Sequence, residues 1–237
     1  MRIGLVLALT LTLAESCAPK PPIERDPFGL IKTAAEHELD AAVVILDPVT
    51  REPHCSGASI RVDDKLVIVT AAHCVTRRAN PFDVSPNPEK VAHVGDYAFF
   101  IPRDQWTPFA DQDCEAKIAE FDPVHDRATL MPVDQADVPQ PLPVARLCER
   151  CTIDDYPIHY VSALYGWEKH SGTVTGRAKD GQAEFWESST SIIFGWSGSP
   201  VINSDGQMVG IVSRCHGKDY PGGRQCEPGY SLFTDVR

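Results

Sequence analysis

From residue 36 onward the sequence predicts an all-β protein, organised as two packed antiparallel barrels. Three observations lead there. The apolar runs are short and rich in Val and Ile, and Gly, Pro and Asp turn signals separate them. Helical periodicity is scarce over the same stretch. Finally, residues 134–143, with Pro132 just before and Pro139, Pro141 and Pro143 within, divide the runs into two series and read as a linker. Two series of short strands suit two closed sheets, a first barrel over about 36–133 and a second over about 144–237.

In the first series, 41–46 reads as a buried strand, 47–52 as a turn and 55–60 as the next strand. Val62-Asp63-Asp64-Lys65 then turns the chain into Leu66-Val67-Ile68-Val69-Thr70, which runs through small residues to His73 and Cys74. Residues 91–97 alternate as a half-buried strand does, with His93 as a structural residue. The second series predicts strands at 156–164, 172–177, 182–186, 201–202 and 208–213. No tandem repeat or low-complexity tract interrupts them.

The stretch Phe194-Gly195-Trp196-Ser197-Gly198-Ser199-Pro200 sets a serine between two glycines. A hydroxyl is a poor nucleophile at neutral pH, so it needs a base to take its proton and fixed donors where an oxyanion forms. Glycine at 195 frees the backbone to aim its N–H into the same hole as that of Ser197. Taken alone, the stretch also fits an ordinary turn. A histidine at the end of an apolar strand, His73, is the matching candidate base.

Together, Thr70-Ala71-Ala72-His73-Cys74 and Gly195-Trp196-Ser197-Gly198-Ser199-Pro200 resemble the trypsin-like (chymotrypsin-fold) serine endopeptidases, which carry T-A-A-H-C and G-x-S-G-[GS]-P. Ser199, where digestive members have glycine, looks more like the bacterial glutamyl-endopeptidase branch. Residues 55–60 resemble the family's C-G-G-S-L-I segment, and 91–97 a family strand. The resemblance implies two six-stranded barrels with the active site in the cleft between them, and a peptidase domain over 36–237. It calls for no cofactor and no metal ion.

Carried over residue by residue, the resemblance implies Ser197 as nucleophile, His73 as base and Asp126 as the group that orients it. Asp126-Arg127-Ala128-Thr129-Leu130 fits the family's D-x-A-x-L form, whereas Asp122, followed by Pro123, reads as a turn residue. The oxyanion hole would be the N–H groups of Gly195 and Ser197. Ser213 matches the serine preceding the substrate-pairing edge, and Arg214 and Cys215 continue that edge, so a peptide would bind by adding a strand. Read without the family, Ser213 also fits a surface strand end. The pocket floor falls at Ser191, and Pro228-Gly229 with 233–236 resembles the last pocket-lining strand. A serine at 191 argues against cleavage after Lys or Arg, because a buried cation needs a paired charge. Glutamate-specific relatives have histidine where Val212 stands, although His216 is close by. An apolar or small residue before the cleaved bond is the expectation.

One departure is informative. Activatable members have aspartate just before the nucleophile, paired with a new Ile-Val-Gly-Gly terminus. Here that position is Trp196, and no such sequence follows a basic residue upstream of residue 55. The expectation is an oxyanion hole formed without zymogen cleavage. The alternative is a degraded, inactive homologue that binds peptide. Relatives continue into a C-terminal helix where this sequence stops at Arg237, so either the branch lacks it or the sequence is incomplete.

The chain of 237 residues is 43% hydrophobic and carries a formal charge of −11, which argues against nucleic acid or an anionic membrane surface as partner. Peptide or protein substrates, and protein inhibitors, are the partners the resemblance implies. Met1-Arg2 followed by the uncharged 3–14 run reads as a signal peptide over 1–17, too short to span a bilayer. Ala14-Glu15-Ser16-Cys17 looks like a degraded lipoprotein signal, and a lipid on Cys17 would be the one membrane attachment. Proline-rich 18–35 would then be a tether, and the protein exported: secreted, periplasmic or anchored at the cell surface.

Eight cysteines agree with an oxidising compartment. Cys55 and Cys74 match the bridge that closes the family's histidine loop, and Cys215 with Cys226 would staple a loop by the pocket. Cys114, Cys148 and Cys151 form an odd set. Cys148-Glu149-Arg150-Cys151 could be a structural disulfide, a redox C-x-x-C or half a zinc site; it lacks the setting of the second and the partner pair of the third. Three functions therefore stand at this level: an exported serine endopeptidase, a binding protein on the same scaffold, and a surface redox protein acting through Cys148 and Cys151.

Overall fold

The computed structural model describes residues 40–80, 89–102, 105, 113–145, 156–161, 169–192, 195–220 and 223–235. The expected leader over 1–17, the expected tether over 18–35 and the cysteines at 17, 148 and 151 lie outside the described residues, as do the side chains of Cys215 and Cys226. The strands in chain order are β1 (Ala42–Leu46), β2 (Pro53–Val62), β3 (Lys65–Thr70), β4 (Arg77–Arg78), β5 (Lys90–Val91), β6 (Tyr97–Pro102), β7 (Cys114–Asp122), β8 (Arg127–Pro132), β9 (Tyr156–Val161), β10 (Lys169–Asp180), β11 (Ala183–Ser188), β12 (Pro200–Asn203), β13 (Met208–Tyr220) and β14 (Gly223–Asp235). They form two closed six-stranded barrels, in the orders β1-β2-β3-β8-β7-β6 and β10-β11-β14-β13-β12-β9, with β4 and β5 paired separately. The all-β, two-barrel expectation holds.

The apolar runs are continuous in β1 and β3 because both faces of each strand are covered. Val43, Ile45 and Ile68 fill the first barrel, while Val44, Val67 and Val69 face outward onto a cluster that includes Ile202, Met208 and Ile211 of the second. β7 has water on its outer face and alternates instead, with Cys114, Ala116 and Ile118 buried between exposed neighbours. The second barrel is filled by Ile158, Val174, Trp196, Val201, Val212 and Phe233, among others.

The linker is stitched to both halves. Leu142 N donates to Ser59 O, Ala145 N to Met208 O and Met208 N to Pro143 O. Three expectations are corrected. Residues 91–97 are not one strand: β5 ends at Val91, a turn holds Gly95 at φ 93°, and β6 begins at Tyr97. Gly95 N and Ile118 N bond across this turn to Ile118 O and Asp96 O, which a straight strand could not do. β13 runs on to Tyr220, well past the 208–213 expectation, because it pairs with β14 along most of its length. Ser213 is therefore no surface strand end. It lies within β13, fully buried, at a bulge between Val212 and Arg214.

Candidate active site

His73 sits on a single 3-10 turn, Ala72–Val75, directly after β3. Cys74 in the same turn is bonded to Cys55 of β2, closing the loop between them (Cα–Cα 5.9 Å). In the chain-entropy picture a loop of that length contributes about 3 kcal/mol by restricting the unfolded chain. The bridge therefore pins the histidine turn to the neighbouring strand.

Asp126 ends the 123–126 turn that leads into β8. Asp122 builds that turn, accepting from Val124 N, His125 N and His125 Nδ1, as its turn reading expects. Asp126 itself has φ 53°, a left-handed conformation that costs a non-glycine residue about 1 kcal/mol or more. Its bonds hold it there. His73 N donates to Oδ1 at 3.0 Å, His73 Nδ1 lies 2.9 Å from Oδ2, and Ser213 Oγ donates to Oδ2 at 2.6 Å. Burial by itself would raise the carboxyl's pKa, but the His73 hydrogen bond and charge, then the Ser213 hydroxyl, outweigh it and hold the pKa below the ordinary 3.8. The bulge at Ser213 is what aims this hydroxyl across to the first barrel. The aspartate side chain is 6% exposed and that of His73 is 43% exposed, so the imidazole has one face anchored and one open.

Ser197 lies in the turn before β12. Gly195 has φ 86° and Gly198 φ 79°, both closed to ordinary side chains. At Gly198 a Cβ would collide with Ser56 O and Thr70 Oγ1, so the turn presses directly on β2 and β3. Ser56 N donates to Ser197 O at 2.8 Å and Ser56 Oγ to Gly195 O at 3.2 Å. From the other side, Gly198 N donates to Val212 O and Val212 N to Ser199 O. Trp196 points into the second barrel's core, with the His170 ring edge-on at 4.4 Å.

The structure thus brings His73 and Asp126 into direct contact and links Ser197 to them through Ser213. The Ser197 hydroxyl donates to Ser213 O at 3.4 Å, and among the described residues no hydrogen bond joins it to His73. Ser191 is exposed, between the buried Thr190 and Ile192, on the stretch from β11 to the Ser197 turn. Arg214 follows Ser213, with Nε donating to Ser213 Oγ at 3.3 Å and its guanidinium 4.9 Å from the Phe185 ring. The backbones of Cys215 and Cys226 lie opposite Ser231 and Gly217. Cys55, Cys74 and His73 offer donor atoms within 4.8 Å of one another, but both sulfurs are committed to the disulfide, so the group does not read as a metal centre.

Two participants escaped sequence reasoning. Ser56 joins the nucleophile turn to the first barrel, and its only signal is a serine where the family segment has glycine. His54 is half-buried beside His73; burial lowers its pKa most, Asp47 raises it, and the charges of His73 and Lys90 lower it further.

The sequence model of the Trypsin-like peptidase domain matches residues 55–211, about two-thirds of the chain, and includes His73, Asp126 and Ser197. The chain belongs to that family. Among solved structures, this trypsin-like peptidase domain is similar to the HtrA-type protease AlgW with tripeptide (17% identity, TM-score 0.58), covering 86% of this chain and 58% of that one. It is similar also to the Rv3671c protease in its inactive form (16%, TM-score 0.57, 92% and 94% covered). The apo MamO protease domain from Magnetospirillum magneticum follows (18%, TM-score 0.51, 84% and 92% covered). These likenesses establish the fold; the chain spans little more than half the length of AlgW. No curated protein matches the sequence.

Proposed function

We propose that this trypsin-like peptidase domain is an exported serine endopeptidase working through an acyl-enzyme. The observation that carries the reading is the ionised, buried Asp126 bound to both His73 N and His73 Nδ1. An imidazole whose Nδ1 is committed in this way presents Nε2 for proton transfer, and the carboxylate stabilises the imidazolium that forms. Ser197 leaves its long bond to Ser213 O, gives its proton to His73 and attacks the scissile carbonyl. The N–H groups of Gly195 and Ser197 receive the oxyanion. His73 returns the proton to the leaving amine, and water then hydrolyses the acyl-enzyme by the same route. Catalytic hydrogen bonds often tighten only when substrate arrives, which accommodates the present gap between serine and histidine.

Activation needs no new amino terminus in this reading. Trp196 is buried by apolar neighbours and the edge of His170, a contact that takes over the anchoring an aspartate ion pair would provide. Export follows from the leader-like 1–17 segment and agrees with the Cys55–Cys74 bridge. The substrate residue before the cleaved bond is apolar or small in this reading, because Ser191 stands at the sequence position where the family has its pocket floor.

The absence of a His73–Ser197 bond favours a second reading, a peptide-binding protein without turnover. A fluorophosphonate probe separates the two. The wild-type protein is expected to label at Ser197, with labelling lost in Ser197→Ala and His73→Ala, and peptide hydrolysis falling by about 10⁵-fold or more in either. Folded protein that never labels, yet binds peptide in a fluorescence titration, establishes the binding role instead.

A further inference from the structure

Where activatable members of the family hold the nucleophile turn with an aspartate ion pair, this chain has the uncharged Trp196. Its buried ring anchors the middle of the turn in the second barrel's core. A ring anchor leaves the neighbouring peptide planes free to rotate about φ and ψ, and that rotation decides where their N–H groups point. Gly195 is the weak place, because glycine changes backbone conformation at little steric cost. It is nonetheless held at φ 86°. Ser56, fully buried on β2, reaches two carbonyls of the turn. Its N–H donates to Ser197 O at 2.8 Å and its hydroxyl to Gly195 O at 3.2 Å.

The two bonds differ in kind. Any residue but proline at position 56 offers the N–H, whereas the second bond needs a side-chain donor, and the family segment has glycine there. The strand behind the hydroxyl is itself held, since Ser56 O accepts from Thr70 Oγ1 at 2.7 Å. We propose that Ser56 is a positioning residue for oxyanion stabilisation. Its hydroxyl fixes the Gly195–Trp196 peptide and, through the two dihedrals of Gly195, the direction of the Gly195 N–H. The assignment rests on the peptidase reading, in which the N–H groups of Gly195 and Ser197 receive the oxyanion. With Gly195 O released, the peptide turns over cheaply at glycine and the N–H loses its aim. A hydroxyl from the first barrel thus does in this chain what the ion pair does in activatable members.

Ser56→Ala and Ser56→Gly both remove the hydroxyl and keep the backbone bond to Ser197 O. The full chain of each, folded by urea titration, is treated with a peptidyl trifluoromethyl ketone that carries alanine beside the ketone and an isotopic label at the ketone carbon. In the wild type, Ser197 Oγ bonds to that carbon, its proton passes to His73, and the C=O electron pair moves onto oxygen. The NMR shift of the labelled carbon titrates with the pKa of the hemiketal hydroxyl, which falls as the oxyanion is better held. Both variants are expected to raise that pKa by about one unit and to lower kcat about 10-fold with KM nearly unchanged, the worth of one hydrogen bond used in the transition state. A hemiketal pKa that stays at the wild-type value overturns the assignment, whether or not kcat falls, and leaves the peptidase standing. A shift that grows from Ala to Gly also overturns it, because packing and not the hydroxyl would then be at work. A wild type that forms no hemiketal overturns the assignment and the peptidase reading together.

Discussion

The two barrels hold their parts of the site in different ways. On the first barrel, His73, the proposed base, is preset: a disulfide pins its turn, and Asp126 grips both its backbone and its ring. On the second, the backbone around Ser197 is fixed by bonds on both sides, but among the described residues the hydroxyl makes one hydrogen bond, at 3.4 Å, longer than a good O–H···O bond. In the proposed mechanism, rigidity is placed where orientation matters most, in the ring that would accept a proton from one direction, and the serine would engage last. Ser213 serves both sides, its hydroxyl donating to Asp126 and its carbonyl accepting from Ser197.

The sharpest way to break this contrast is on the first barrel. Asp126→Asn keeps the shape but removes the charge that sets the ring, and kcat is expected to fall about 10⁴-fold while fluorophosphonate labelling slows in parallel. Unchanged kcat would sink the idea that the base is preset. On the second barrel, Trp196→Ala empties a core position and is expected to cost about 3–5 kcal/mol in urea unfolding. If the loop is anchored by this side chain, Trp196→Phe restores kcat more fully than it restores stability. The smallest effect belongs to the shared residue. Ser213→Ala is expected to lower kcat about 10-fold, the worth of a hydrogen bond to a charged group. It also alters acid behaviour. Asp126's folded pKa lies below 3.8, so its pairing stabilises fully above that value and is lost as pH falls through the folded pKa. Removing the Ser213 donor brings the folded pKa closer to the unfolded one, so the acid-dependent drop in Tm should shrink. A drop as large as wild type would mean that Ser213 does not hold the carboxylate.

Much of the fold was readable because its signals are local. Val67 to Val69 declare a strand covered on both faces, and the Pro-rich 132–143 stretch marks the passage between barrels. β7 was passed over because its inward residues include two small ones, Cys114 and Ala116, which carry little β signal. Residues 91–97 misled because Gly95 looks like one more member of an alternating run until its φ of 93° turns the chain. In the site, His73 and Ser197 stand inside motifs. Ser56 does not: its partner Gly195 is 139 residues away, and only the packed barrels bring them together. The same holds for Lys90, whose proximity to the histidine is a product of the β4–β5 pair rather than of spacing.

Ser56 has a wider consequence. By donating to the carbonyls of Gly195 and Ser197, it ties the Ser197 turn to a strand of the opposite barrel. A molecule joined at that point loses both bonds, and the seat of the Ser197 turn on β2, if its barrels part. In the proposed enzyme, a ligand would therefore have to reach Ser197 with the two barrels still joined.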